Sequence, residues 1–218
     1  MKKNEVLYKI ILIFILGSII GAYYEELLHI VKYYMKFHSF DWVSKRGLLY
    51  GPLSPIYGIG AVLIYLSFYL FNKRWYITFL LGSLLGGLYE YIMSFLQEKI
   101  WGTISWDYSH KFLNIGGRTT IPFMIFWGLL VLIFVYGIFP LFDKIYDKIN
   151  KNTIKKISLG LFIFIVFDVL ISVTAVTRQT LRHKGYRAYT QIGEFCDKHY
   201  SDEYLKKIYT NSRIKKTK

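Results

Sequence analysis

Six charged residues stand inside or beside strongly apolar stretches of this chain: Glu25, Arg46, Glu90, Arg118, Asp168 and Arg178. Glu25 follows Gly17 and Gly21 at four-residue intervals, and Glu90 follows Gly82 and Gly86 in the same way. That spacing puts each set on one stripe of a helix. The glycines let a second helix approach closely, so each carboxylate would sit on a packed seam and not against lipid. An ionisable group at the centre of a membrane helix costs about 2.5–3.5 kcal/mol, and is retained where a partner or a water-filled cavity meets it. Three arginines can offset three acids at one shared site. Such a site suits binding of a polar, anion-like solute, with Arg46 and Arg118 attracting it and the acids lining the seam. With the acids as proton donors and acceptors, it suits chemistry on a lipid or phosphorylated headgroup instead. The plainer readings are a Glu reaching the interface beside a packing face, and ion pairs that only fix helix register.

The stretch from Arg46 to Gly60 carries Pro52, Pro55, Gly47, Gly51, Gly58 and Gly60, too many breakers for one regular helix. Irregular backbone at membrane depth persists only when buried in protein or lining a cavity. A helix restarting at Pro52 or Pro55 would aim its first amides toward Arg46 and favour an anion there. Asn114 to Arg118 could do the same ahead of the next span. A tight turn with its arginine at the headgroups is the equal alternative.

Other motifs carry less. Glu26 and His29 have the Glu-x-x-His spacing of di-metal bundles, but the corresponding later positions are Tyr91 and Ser94, so no metal site is expected. Asp107 and His110 read as solvated loop residues. There is no Walker-type phosphate loop and no Gly-x-Ser-x-Gly elbow, so no cofactor and no catalytic residue is assigned. Cys196 is the lone cysteine, which excludes an intrachain disulfide.

The elements that must position these groups are membrane spans. Hydrophobic residues make up 54% and aromatics 19% of the 218 residues, more than a soluble domain of this size carries. Five stretches are long enough to cross about 30 Å of hydrocarbon: Leu7–Val31, Leu49–Phe71, Tyr76–Leu96, Thr119–Phe142 and Leu159–Thr177. The first outruns the apolar core of a signal peptide and is read as a span rather than a cleaved leader. The net charge of +14 flanks the apolar stretches, which points to lipid headgroups and away from nucleic acid. Lys2, Lys3, Lys73 and Arg74 fall on the N-terminal side, and Lys32, Lys36, Lys45 and Lys99 on the other. The balance leans slightly to a cytoplasmic N-terminus.

Leu16 to Glu25 recurs as Leu81 to Glu90, followed in order by a Trp–Asp pair, an Arg, a Pro and an aromatic–Gly pair. The expectation is an all-α membrane bundle of two parallel helical-hairpin repeats (about 7–71 and 76–142) plus one helix (about 159–177). Residues 1–178 form the membrane domain, and 179–218 form a basic tail with a helix starting near Ser201. Glu25, Glu90, Arg46, Arg118 and Arg178 then approach one membrane face, with Asp168 deeper.

The combination of Glu25, Arg46-Gly47-x-x-Tyr50-Gly51-Pro52-x-x-Pro55-x-Tyr57-Gly58-x-Gly60, Glu90, Trp106-Asp107-Tyr108, Asn114-x-x-Gly117-Arg118 and Trp127-Gly128 resembles the type IV ABC-transporter permease family (CmpB-like) of small bacterial membrane proteins. The resemblance runs from about Leu16 to Arg178. It implies a multi-pass plasma-membrane protein acting as a permease subunit, with a separate ATPase subunit or a second copy of the chain enclosing the pathway. A membrane-embedded enzyme and a structural or regulatory membrane protein are the rival readings.

Overall fold

A computed structural model of the chain describes residues 3–69 and 74–214. The helices are α1 (Lys3–Phe37), α2 (Pro55–Ile64), α3 (Trp75–Trp101), α4 (Ile121–Ile133), α5 (Phe139–Tyr146), α6 (Lys151–His183), α7 (Gln191–His199) and α8 (Asp202–Ile208). Four two-residue strands form two antiparallel pairs, β1 (Thr103–Ile104) with β4 (Arg213–Ile214) and β2 (Asn114–Ile115) with β3 (Thr119–Thr120). Of the sequence-based expectations, Phe71 at the end of the second span, Lys2 and Lys73 lie outside the described residues.

The chain is a membrane helix bundle. Four stretches, Asn4–Phe37, Trp75–Trp101, Ile121–Tyr146 and Lys151–His183, are long and apolar enough to cross a bilayer, and Pro55–Tyr69 is a shorter apolar helix. The predicted second span begins late. Leu49 to Ser54 is not helical, because Pro52 and Pro55 lack the amide hydrogens a continuing helix needs, and regular structure restarts at Pro55. At 33 residues α6 is about 50 Å long, well beyond a bilayer's hydrocarbon, so its end carrying Arg178 and Arg182 stands clear of the core.

Two hairpins are built on the predicted small-residue stripes. A Cβ at Gly17 would lie 2.5 Å from Ala61 Cβ, and one at Gly58 would lie 2.2 Å from Ser18 Oγ, so α1 and α2 touch backbone to backbone. Between α3 and α4, a Cβ at Gly86 would lie 2.5 Å from Trp127 Cβ, and one at Gly128 would lie 2.2 Å from Ser83 Oγ. Both return helices contain a π turn, at Tyr65–Tyr69 after α2 and at Phe134–Ile138 between α4 and α5. The second precedes Pro140, whose missing amide breaks the regular ladder there. The two π turns pack together in a core of Tyr65, Phe68, Phe134, Val135 and Phe139, which joins the hairpins. The sixth helix packs on α1 and turns Ile163, Phe167 and Leu170 outward, as a lipid-facing helix does.

Candidate functional site

Toward the C-terminal ends of α1 and α3, the hairpins, α6 and the connecting loops enclose a cavity of about 910 Å³. Glu25, Arg46 and Glu90 all border it. Arg118, Asp168 and Arg178 are not among its walls, so three of the six charged residues singled out from sequence come together here and three do not.

Glu25 lies on the α1–α2 seam. Its Oε1 accepts from the Tyr57 hydroxyl at 2.7 Å, and its Oε2 accepts from Asn211 Nδ2 at 2.7 Å. The Asn211 carbonyl oxygen accepts in turn from Lys45 Nζ at 2.8 Å, so one carboxamide bridges an acid and a base at the rim. Asn211 arrives there because the tail is pinned on both sides: Thr210 Oγ1 donates to the Ser44 carbonyl oxygen at 2.9 Å, and β4 pairs with β1.

Glu90 is nearly fully buried. It accepts from Thr119 Oγ1 at 2.6 Å and from the Tyr108 hydroxyl at 3.1 Å, with the Trp127 indole N–H close by. Gly116 and Gly117, both at positive φ, fold Asn114–Thr120 into a β-hairpin, and this places the Thr119 hydroxyl over α3. Burial first, and the Glu90 and Glu25 carboxylates next, push the Tyr108 phenol well above its usual range, so it stays a donor at neutral pH. Glu90 is therefore met by neutral donors.

Arg46 opens a loop that dips between α1 and α6. Leu48 and Leu53 are buried against Ile15 and the partly buried Leu161 and Ile165, which satisfies the requirement that irregular backbone be covered by protein. The loop's amides turn to α6: Leu49 N donates to Ser172 Oγ at 2.9 Å and Tyr50 N to Asp168 Oδ1 at 3.2 Å. These two bonds satisfy the amides of Leu49 and Tyr50 in the irregular segment ahead of α2. Asp168 is fully buried, and its Oδ2 has no hydrogen-bond partner among the described residues. Arg46 lies within electrostatic reach of Asp168, but no ion pair joins them. The buried Arg46 Nε likewise has no partner among the described residues.

Arg118 is engaged elsewhere. It pairs with Glu98, donates to Ser94 Oγ at 3.1 Å and lies over the rings of Tyr91 and Phe95. Arg178 turns into the tail rather than toward Asp168, donating from Nε and Nη2 to the two Asp197 oxygens at 3.1 and 2.6 Å. Arg182 adds a third bond to Asp197 at 2.6 Å and pairs with Asp202. The other candidates have local partners: His29 meets Asp41 at 2.9 Å, Glu26 accepts from the Lys45 amide at 3.2 Å, and Asp107 caps its own turn through Ser109. Sequence reading passed over Asn211, Tyr57 and Tyr108 as site residues. Tyr108 had a signal in the Trp106-Asp107-Tyr108 triplet; Asn211 had none.

The Asp197 contacts give a testable pH dependence. The guanidinium of Arg178 is the largest influence and holds this carboxyl below the usual carboxylate range; burial opposes it, and Arg182 lowers it further. Asp197 therefore binds its proton less readily folded than unfolded. Its contribution to tail docking is complete above about pH 4, the unfolded value, and is lost as acidification passes through the depressed folded value. Asp197→Asn at pH 7 should raise proteolytic cleavage of residues 184–214 at least tenfold, a change of about 1.4 kcal/mol. Unchanged cleavage would show that the pair does not hold the tail.

Against known proteins, the family model described as "Putative ABC-transporter type IV" matches residues 12–173. No curated protein and no solved structure matches the chain.

Proposed function

Because the chain belongs to the family described as "Putative ABC-transporter type IV", we propose that it is the permease subunit of a transporter in the plasma membrane, and that the cavity between its hairpins is part of the pathway for a small anionic solute. One observation carries the solute's charge: Arg46 borders the cavity and has no ion-pair partner among the described residues. A cation so placed meets its hydrogen-bonding need when an anion arrives. Glu25 and Glu90 line the wall with their oxygens held by Tyr57, Asn211, Thr119 and Tyr108.

The two hairpins are read as a parallel duplication. The similar close approaches at Gly17 and Gly82, and at Gly58 and Gly128, support it, as does an aromatic residue facing Gly21 (Tyr57) and Gly86 (Trp127). Residues 1–178 then serve as the membrane unit and 179–218 as an appendage. A nucleotide-hydrolysing subunit supplies the energy, since the chain has no Walker-type loop of its own, and a second copy of the chain can complete the enclosure. Membrane lipids are its surroundings.

The test is purification of the full chain from native membrane in mild detergent. An ATPase subunit should accompany it, and solute-stimulated ATP hydrolysis by the complex should weaken about tenfold in apparent affinity with Arg46→Gln, the loss of one charge-assisted hydrogen bond. Absence of any ATPase under conditions that preserve other transporter complexes would defeat the reading.

A further inference from the structure

Resting on the reading of this cavity as a ligand site, we propose that its occupant is an anionic phospholipid, with the phosphate held by Arg46 and Lys45 and an acyl chain laid on the floor between α2 and α4. The cavity is segregated in a way a small hydrophilic anion does not require. Lys32, Lys45, Arg46 and Lys111 border it on the side where α1 and α3 end. At the other end the walls are Ala61, Ile64, Leu130 and Phe134, and none of these side chains offers a hydrogen bond. A free phosphate would use the first set and leave the second facing water or void. At about 910 Å³ the space is near the upper end of the range that holds drug-sized molecules, far more than a bare anion fills.

The charges facing the head position favour an anion. Four cations border the cavity against two acids, Glu25 and Glu90. Glu25 is occupied by Tyr57 and Asn211, and Glu90 by Thr119 and Tyr108. Asp168, the acid within reach of Arg46, spends Oδ1 on Tyr50 N and Ser172 and makes no ion pair. Among the described residues, only the neutral Asn211 carboxamide hydrogen-bonds the Lys45 ammonium. Burial lowers the Lys45 pKa, against the smaller raising effects of Glu25, Asp41 and Glu26. A phosphate beside Lys45 would favour the charged form that burial penalises. The headgroup would meet the cations at the rim, where lipid headgroups lie.

Native mass spectrometry of the purified full chain, with added phosphatidylglycerol, phosphatidylcholine or inorganic phosphate, separates the possibilities. Phosphatidylglycerol should be retained at least tenfold more than phosphatidylcholine. Arg46→Gln and Lys45→Gln should each remove about tenfold of that retention, and Arg46→Lys should recover part of it. Ile64→Trp, which fills the floor without touching a charge, should cut retention of the lipid alone. Elution volume on gel filtration checks that each variant is folded, and Lys45→Gln serves if Arg46→Gln is not. Equal retention of both lipids, or unchanged retention in both charge variants, overturns the proposal. Protection by inorganic phosphate that depends on Arg46, with no lipid retained, overturns the lipid while leaving the small-anion permease intact. Loss of the ATPase partner with lipid retention unchanged defeats the permease reading and not the lipid.

Discussion

Gly86→Val is expected to destabilise the protein by about 3 kcal/mol, the upper end of ordinary overpacking costs. A Cβ at this position would lie 2.5 Å from Trp127 Cβ and 2.6 Å from Trp127 Cγ. Carbon atoms settle at about 3.5–4.0 Å, so a gap of an ångström or more has to open. Trp127 cannot supply it by changing rotamer, since its Cβ is fixed to the α4 backbone. The helices must part, and the contacts at Gly82 with Val131 and at Gly128 with Ser83 go with them. Gly160→Ala in α6 is the control. Nothing lies within 4 Å of the point where the alanine methyl would stand, so that change should be neutral or stabilise by up to about 1 kcal/mol. Midpoints of thermal aggregation in detergent would report both. Equal midpoints for the two variants would mean that the α3–α4 seam is not held by close approach.

That seam was readable in the sequence because small residues at four-residue intervals have one strong structural meaning in an apolar helix. The break before α2 was equally plain, since Pro52 and Pro55 remove donors whatever the surroundings. The partners of the long polar side chains were not readable. Arg118 and Glu98 are twenty residues apart and meet only because the Gly116–Gly117 turn folds the arginine back on α3. Asp168 and Arg178 share one helix but stand about 15 Å apart along it; the arginine is drawn to Asp197, whose position depends on how α7 docks. Asn211 gave no signal at all. An asparagine near a basic terminus has no periodicity to betray it, and its bridge between Glu25 and Lys45 exists only once the tail has crossed to the rim. Local rules fix where helices start, stop and touch, while long side chains choose among partners that only the assembled fold brings within reach.

Glu90→Leu should cost about 3 kcal/mol, and its effect should be local. The carboxylate takes the hydroxyl protons of Thr119 and Tyr108, both outside α3, so it fastens the loop from Thr103 to Thr120 onto that helix. Leucine matches the volume but accepts nothing, and each buried donor left without a partner costs about 1–3 kcal/mol. Glu90→Gln should cost less, about 1 kcal/mol, because its carbonyl oxygen keeps one hydroxyl and its NH₂ can donate to the other after that hydroxyl rotates. Glu25→Leu should also cost less than Glu90→Leu. Glu25 is less buried, and Asn211 on the tail can turn to water when its acceptor is lost. Hydrogen exchange reads the difference. In Glu90→Leu, amides of residues 103–120 should lose protection by about tenfold or more while those of α1 and α2 keep theirs, because among the described residues the first hairpin shares no hydrogen bond with Glu90. Uniform loss of protection over both hairpins would contradict this picture, since it would make Glu90 a support of the whole bundle and not the anchor of one loop over the cavity.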